Sequence, residues 1–430
     1  MKNTNIKNIA VIVIFSLFVF GFFVACLFHS PEKFSESERR DLAQFPDINL
    51  DSVLDKTAIQ GFDKYSADQF PLRETLLDVY RWYRLNLVKP KAVQSVVDSV
   101  VKPSTPDKPK VNVNIVNDYA EAEGWLAKVN TSLNVDFTLE QINQIYDRYL
   151  KGSGGKVYYS VIPMKDYFFA EKYGTLSLDY GKLFEKLENG LPSEFSYIDI
   201  MGLLALEDYY RTDTHWSQDK ILDVRDKLLL AIGGADEIKG DYTTEKFESF
   251  EGVYYSNAPV KGVEPDTLYY LTNDILNALK VYEIEVKTDK VGNVVEVVET
   301  LDQNGVYNLN AFVKHENKAF EPYDAFLGGV RNFLRIENPN ATTDKEIIVF
   351  RDSFGASIGP LLAEGYSKIY LIDLRGSIIE SRTETFGSNT FTIPGLDAFG
   401  DKLDFENKDV LFLYCAEMLN SRAMFNANEK

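Results

Sequence analysis

The sequence predicts an α/β protein in which a parallel sheet is flanked by helices, with a mainly β insertion and an N-terminal transmembrane helix. Three observations point there. The first is the stretch Lys345 to Leu371. It opens on Glu346-Ile347-Ile348-Val349-Phe350, a short β-branched run of the kind buried on both faces of a sheet. A polar turn, Arg351-Asp352-Ser353-Phe354-Gly355, leads to a short helical stretch from Ser357 to Glu364. Pro360 is expected near the start of that helix, where a missing N–H costs least. After Gly365, Lys368-Ile369-Tyr370-Leu371-Ile372 is a second buried strand, so the pair should run parallel through a right-handed crossover. The second observation is that Val157 to Ile162 and Val410 to Tyr414 are further apolar runs of strand length. The third is the amphipathic segments around them. Ile221, Val224, Leu228 and Ile232 share one face of a helix expected from Ser217 and closed by Gly233-Gly234.

In chain order, residues 1–8 form a tail expected in the cytoplasm, carrying Lys2 and Lys7. Residues 9–28 leave the apolar set only at Ser16 and Gly21, and about 20 such residues span a bilayer as a helix. Lysines before the run, with Glu32, Glu36 and Glu38 after it, orient the remainder outside the cytoplasm. Signal-peptide cleavage, or a lipid on Cys26, would leave it outside as well. Residues 29–88 read as a juxtamembrane helical segment, with Leu76, Leu77, Val79, Tyr80, Tyr83 and Leu87 at helical spacing after Pro71. Residues 89–120 read as a linker, rich in proline (Pro90, Pro103, Pro106, Pro109) and poor in large apolar residues.

Residues 121–239 are expected to hold the first part of the α/β domain. A helix from Thr138 to Lys151 ends at Gly152-Ser153-Gly154-Gly155. The Val157–Ile162 strand follows, with Pro163-Met164-Lys165 at its carboxyl end, and then a short strand from Tyr197 to Ile200. Residues 240–330 break this rhythm. Tyr282 to Val286 alternates, Gly292-Asn293 turns and Val294 to Val298 returns, a β-hairpin in a β-rich insertion. That insertion could wall or cover a cleft, or be structural elaboration. Residues 331–430 carry the second part of the domain.

A serine that ends a parallel strand and leads into a helix stands where open α/β sheets place their ligands. Ser353 is therefore the candidate nucleophile, and its own N–H could face a developing oxyanion. A serine hydroxyl needs a base, and the chain has 3 histidines. His29 lies at the edge of the apolar run, and His315 lies in the charged stretch Val313-Lys314-His315-Glu316-Asn317. His215 lies in Tyr210-Arg211-Thr212-Asp213-Thr214-His215-Trp216-Ser217, where Asp213 can orient the ring. The two could equally be a hydrogen-bonded loop pair with no catalytic part. Lys165 reads either as support for the site or as an exposed loop lysine. Arg351 could anchor an acidic sugar or add positive potential, Asn420 beyond the last strand could donate to an oxyanion, and Trp216 should pack under its loop. Phosphate loops, Gly-x-Gly-x-x-Gly, Ca²⁺ loops and His/Cys clusters with metal spacing are absent from the sequence, so neither cofactor nor metal is expected.

These motifs resemble a known group. Arg211-Thr212-Asp213-Thr214-His215-Trp216 is similar to the Asp-x-His-Trp signature of the DHHW proteins and of the related alginate O-acetyltransferase family, both SGNH-hydrolase-like. Arg351-Asp352-Ser353-Phe354-Gly355 resembles their nucleophile turn. Phe34 to Arg40, Leu42 to Pro46 and Asp68 to Arg73 resemble the DHHW juxtamembrane segment, and Phe326-Leu327-Gly328-Gly329 and Ile372-Asp373-Leu374-Arg375 also fit. Thr214 departs from the pattern, which has His there. The resemblance implies an SGNH-like fold with Ser353 as nucleophile, His215 as general base and Asp213 as orienting acid. It also implies acetyl as the acyl group, supplied by a membrane acyltransferase partner.

The net charge of −19, from 46 basic and 65 acidic residues, disfavours nucleic acid and anionic lipid surfaces as partners. It leaves a neutral or acetylated glycan open. The expectation is thus an extracytoplasmic, membrane-anchored serine acyltransferase acting on an envelope or extracellular polysaccharide. A carbohydrate esterase with the same triad, and a non-catalytic glycan-binding or scaffold protein, are the alternatives.

Overall fold

The computed structural model describes residues 30–35, 40–49, 56–73 and single positions between 13 and 79, then 113–421 except 117, 235–240, 258–262, 290, 315–319, 377–378 and 387–388. The span expected at 9–28, most of the linker, the helix expected from Leu76 to Leu87, and His29, His315 and Cys26 lie largely or wholly outside the described residues. Among the described residues no helix is long and apolar enough to cross a membrane.

The chain divides into two compact units, one of residues 1–94 with 314–320 and one of residues 95–313 with 321–430. In the first, a short antiparallel pair, Phe34–Ser35 with Arg40–Asp41, accompanies a helix from Thr57 to Asp68. Gln69 closes that helix and fastens the preceding chain to it. Its amide donates to the Glu32 and Ala43 carbonyls at 2.7 and 3.0 Å, and its Oε1 accepts from Glu32 N–H at 2.9 Å.

The second unit opens with a small antiparallel sheet, β1 (Asn114–Val116), β2 (Tyr119–Ala122) and β3 (Trp125–Lys128). It begins inside the stretch expected as linker, because the prolines end at Pro109 and alternation then sets in. Ala120, Ala122 and Leu126 point inward, and Glu123-Gly124 turn with φ of 51° and 81°. Helix α1 (Asp136–Ile145) continues as a π-helical turn, Tyr146–Leu150, so the expected Thr138–Lys151 helix is present with a wider last turn.

Among the described residues the central sheet has eight strands. In chain order they are β4 (Val157–Ile162), β5 (Phe195–Tyr197), β8 (Lys280–Thr288), β9 (Val294–Asp302), β10 (Phe333–Glu337), β11 (Glu346–Arg351), β12 (Lys368–Ile372) and β15 (Asp409–Cys415). The hairpin β6 (Thr243–Phe250) with β7 (Asp266–Thr272) lies outside it, as does the pair β13 (Arg382–Phe386) with β14 (Asn389–Ile393). Across the central sheet the order is β9-β8-β10-β12-β11-β15-β4-β5. From β12 to β5 all neighbours are parallel, whereas β10, β8 and β9 pair antiparallel. The hairpin predicted around Gly292-Asn293 is present, with Glu285 opposite Val298. It does not stand apart as an insertion: β8 pairs with β10, so the hairpin extends the central sheet by two strands.

Helices α2 (Lys165–Tyr173), α3 (Tyr180–Gly190), α4 (Leu222–Ile232) and α5 (Phe354–Ala363) complete the layers. All of α5 is buried against β10, β12, β15 and α4, which explains its lack of a polar face. It starts at Phe354, earlier than expected, so Pro360 falls inside it. Proline cannot donate to the Ala356 carbonyl. The adjacent Ser357 carbonyl accepts instead from Gln218 Nε2 at 2.6 Å, tying α5 to the chain before α4.

Candidate active site

The parallel strands end along one rim in the order β11, β15, β4, and each delivers a polar group there. At the end of β11, Asp352 and Ser353 form the turn into α5. Asp352 is fully buried and shapes that turn: Oδ1 accepts from Phe354 N–H at 2.9 Å, and Oδ2 accepts from Cys415 N–H at the end of β15 at 2.7 Å. Burial raises its carboxyl above the usual range, against these two bonds and the charge of Arg375. Ser353 is half-buried, and its N–H makes no hydrogen bond among the described residues.

The loop before α4 brings the second half. His215 Nε2 lies 2.8 Å from Ser353 Oγ, and Nδ1 lies 2.6 Å from Asp213 Oδ1. Asp213 also accepts from His215 N–H at 2.9 Å and from Val253 N–H at 2.9 Å. Burial alone would raise its carboxyl, but the charge of His215 and these bonds outweigh it and hold the group at about 2. Asp213 is thus a fixed carboxylate that keeps a proton on Nδ1 and leaves Nε2 to face the hydroxyl. The ring lies flat on Tyr323, 3.8 Å between centroids and 8° from parallel, with Phe354 at 4.8 Å. The three residues singled out from sequence therefore meet as one hydrogen-bonded chain across the sheet rim, over a separation of 138 residues between His215 and Ser353.

Ser357, one helical turn beyond Ser353, joins the halves. Its Oγ accepts from Trp216 Nε1–H at 2.9 Å and from Tyr323 O–H at 3.0 Å, and donates to the Phe354 carbonyl at 3.2 Å. Trp216 is completely buried and packs under its loop as expected. A lone serine in the otherwise apolar run of α5 was the available signal for Ser357. Tyr323 carried none, because its stacking depends on a segment distant in sequence.

Lys165 is not the exposed loop lysine that the sequence allowed. It is completely buried, and its ammonium donates to the carbonyls of Tyr210, Arg211 and Asp213 at 2.6, 3.0 and 2.6 Å. Burial pulls its pKa down to about 7, opposed by Asp266 and Asp213. Three acceptors require all three N–H groups, which only the ammonium has. Asp266 of β7 holds the same loop from the other side, accepting from Arg211 N–H at 3.0 Å, Thr212 N–H at 2.7 Å and Thr212 O–H at 2.6 Å.

Three expectations fail: Arg351 as a sugar anchor, Asn420 as an oxyanion donor and a helix start at Ser217. Arg351 is fully buried, donating to the Asp352 carbonyl, Asp373 and the Arg331 carbonyl at 3.2, 3.4 and 3.4 Å, so it supports the turn from below and cannot reach a sugar. Asn420 spends its amide on the Ser132 carbonyl and the Asn134 N–H, so it is not available as an oxyanion donor. The helix expected from Ser217 begins only at Leu222, after a 3₁₀ turn at Gln218–Lys220, so His215 does not stand at its N-terminus.

Gly252 is a further residue that sequence reasoning passed over. A Cβ there would fall 2.3 Å from Asp213 Cβ and 2.5 Å from its backbone N and Cα. Gly252→Ala should therefore displace Asp213, lowering kcat for an activated ester at least tenfold and costing about 1–3 kcal/mol in a denaturant titration. A variant with wild-type kinetics would show that the loop yields freely.

Comparison with solved structures supports the fold. A DHHW family protein from Eubacterium siraeum aligns with a TM-score of 0.53 at 18% identity, covering 73% of this chain and 96% of that one. Bacillus cereus PatB1 aligns with a TM-score of 0.52 at 19% identity, covering 73% and 99%. PatB1 with a sulfonyl adduct gives 0.53 and 18%, covering 73% and 98%. No curated protein matches the sequence. Residues 195–372 match the DHHW protein family model, and over that stretch, from β5 through Asp213, His215 and Ser353 to the end of β12, the chain is similar to the DHHW proteins.

Proposed function

We propose that the chain is a serine acyltransferase that carries an acyl group, most simply acetyl, to a hydroxyl of an envelope or extracellular glycan. The observation that carries this reading is the Ser353–His215–Asp213 chain at 2.8 and 2.6 Å. His215 takes the Ser353 proton as Oγ attacks the donor carbonyl, and the unpartnered Ser353 N–H faces the oxyanion. The leaving group departs with the proton from Nε2, giving an acyl-serine. An acceptor hydroxyl then gives its proton to His215, attacks the acyl carbon and releases Ser353. The apolar run at 9–28 supports an extracytoplasmic setting with the N-terminus anchored, and a membrane acyltransferase would supply the donor.

The test uses the full-length protein with an aryl acetate and with an aryl sulfonyl fluoride, a probe suggested by the PatB1 adduct. Acetate release and a sulfonyl mass on the Ser353 peptide are expected, both lost in Ser353→Ala. Equal release by the two proteins would overturn the reading. Addition of an oligosaccharide should divert acetate from water to sugar; if all of it still reaches water, the enzyme is an esterase.

A further inference from the structure

A polar pocket that the acyl-transfer steps do not use lies where β3, the start of α2 and the residues after β15 meet. Asp166, Lys128, Asn130, Tyr180, Tyr254 and Glu417 line it. Asp166 is only 5% exposed, and its Oδ1 makes no hydrogen bond among the described residues. Burial of this kind raises the carboxyl to about 7, against bonds from neighbouring backbone N–H groups. A buried oxygen without a partner is destabilising unless something fills the space before it. The pocket has a volume of about 10 Å³ for a water-sized group, room for one oxygen. Lys128 and Glu417 form an ion pair that is part of the pocket wall, each partly exposed.

Three of its lining residues adjoin anchors of the triad. Tyr254 O–H donates to Thr214 Oγ1 at 2.9 Å, next to His215, and the preceding residue, Val253, donates to Asp213. Asp166 follows Lys165, whose ammonium binds the Asp213 carbonyl. Glu417 follows the end of β15, where Cys415 N–H holds the carboxylate beside Ser353. The pocket is therefore tied, through neighbouring residues, to the loop and turn that carry the triad. Its mixture of donors and acceptors around aromatic rings and the apolar Met164 and Leu178 suits the hydroxyls and C–H face of a sugar. Two carboxyl groups against one lysine disfavour an anionic one.

We propose that this pocket is the acceptor subsite and seats one hydroxyl of a neutral pyranose on Asp166 Oδ1, with the ring at the mouth beside Lys128 and Glu417. The assignment rests on the acyltransferase reading, but its test does not require turnover. Full-length Ser353→Ala is titrated with cellotetraose and with chitotetraose, followed by saturation-transfer NMR and calorimetry. Saturable binding of at least one is expected, weakened tenfold or more by Asp166→Asn and by Glu417→Gln. If neither sugar binds, or if both variants bind as tightly as the parent, the proposal is overturned and the pocket holds only a trapped water. Should Asp166→Asn fail to fold, Glu417→Gln on the partly exposed rim decides alone. Labelling of Ser353 by the sulfonyl fluoride is read separately, so a lost subsite and a lost triad give different results.

Discussion

Ser353→Ala is expected to lower kcat for an aryl acetate by about 10⁶-fold, and Asp213→Asn by about 10⁴-fold. The first removes the atom that carries the acyl group. The second keeps the shape but reverses the hydrogen bond to Nδ1, so the ring presents a proton to Ser353 Oγ instead of a lone pair. Because the groups act as a unit, the double variant should be no slower than Ser353→Ala alone. Stopped-flow release of the phenolate measures all three, and an Asp213→Asn enzyme within tenfold of wild type would remove Asp213 from the mechanism. The carboxylate also links stability to pH. Its folded value of about 2 lies below the ordinary 3.8. The stability it contributes, about 2 kcal/mol, is therefore complete above pH 4 and is lost as pH falls through 2. Asp213→Asn should flatten that part of the acid-unfolding curve.

Lys165→Met is the substitution expected to cost the most stability, about 3–5 kcal/mol by denaturant titration. Methionine fills the volume but leaves three buried carbonyls, those of Tyr210, Arg211 and Asp213, without donors. It also removes the positive charge facing Asp213 and Asp266. Activity should fall with stability, because the loop that carries His215 loses the clamp that sets its height above Ser353. Lys165→Arg should not rescue, since a planar guanidinium cannot direct three donors at carbonyls converging on one nitrogen. A Lys165→Met protein with unchanged midpoint and unchanged kcat would show that the loop is held from the Asp266 side alone.

Much of the site was legible because local chemistry marked it. Asp213, His215 and Trp216 stand within one short motif, and Ser353 ends a strand whose β-branched run could hardly be anything else. The same logic misled at Arg351, a polar residue in a turn that reads as exposed until Asp373 and the Arg331 carbonyl close around it. It misled at Asn420, whose partners come from residues 132 and 134. Pro360, a first-turn signal on its own, points to a later start for α5 than the observed Phe354. In a helix buried on all sides, packing outweighs that preference.

By itself, then, the order of residues determined the strands β4, β11, β12 and β15, the hairpin of β8 and β9, and the choice of Ser353, His215 and Asp213 as candidates, since apolar period and turn chemistry are properties of neighbours along the chain. Tertiary structure alone decided what joins distant segments: the antiparallel docking of that hairpin onto β10, the burial of Lys165 under the motif loop, the stacking of Tyr323 on His215, and the pocket between Asp166 and Glu417. Those depend on which surfaces meet. A buried charge or an unpartnered carboxyl oxygen acquires its meaning from atoms a hundred residues away, which no spacing rule can supply.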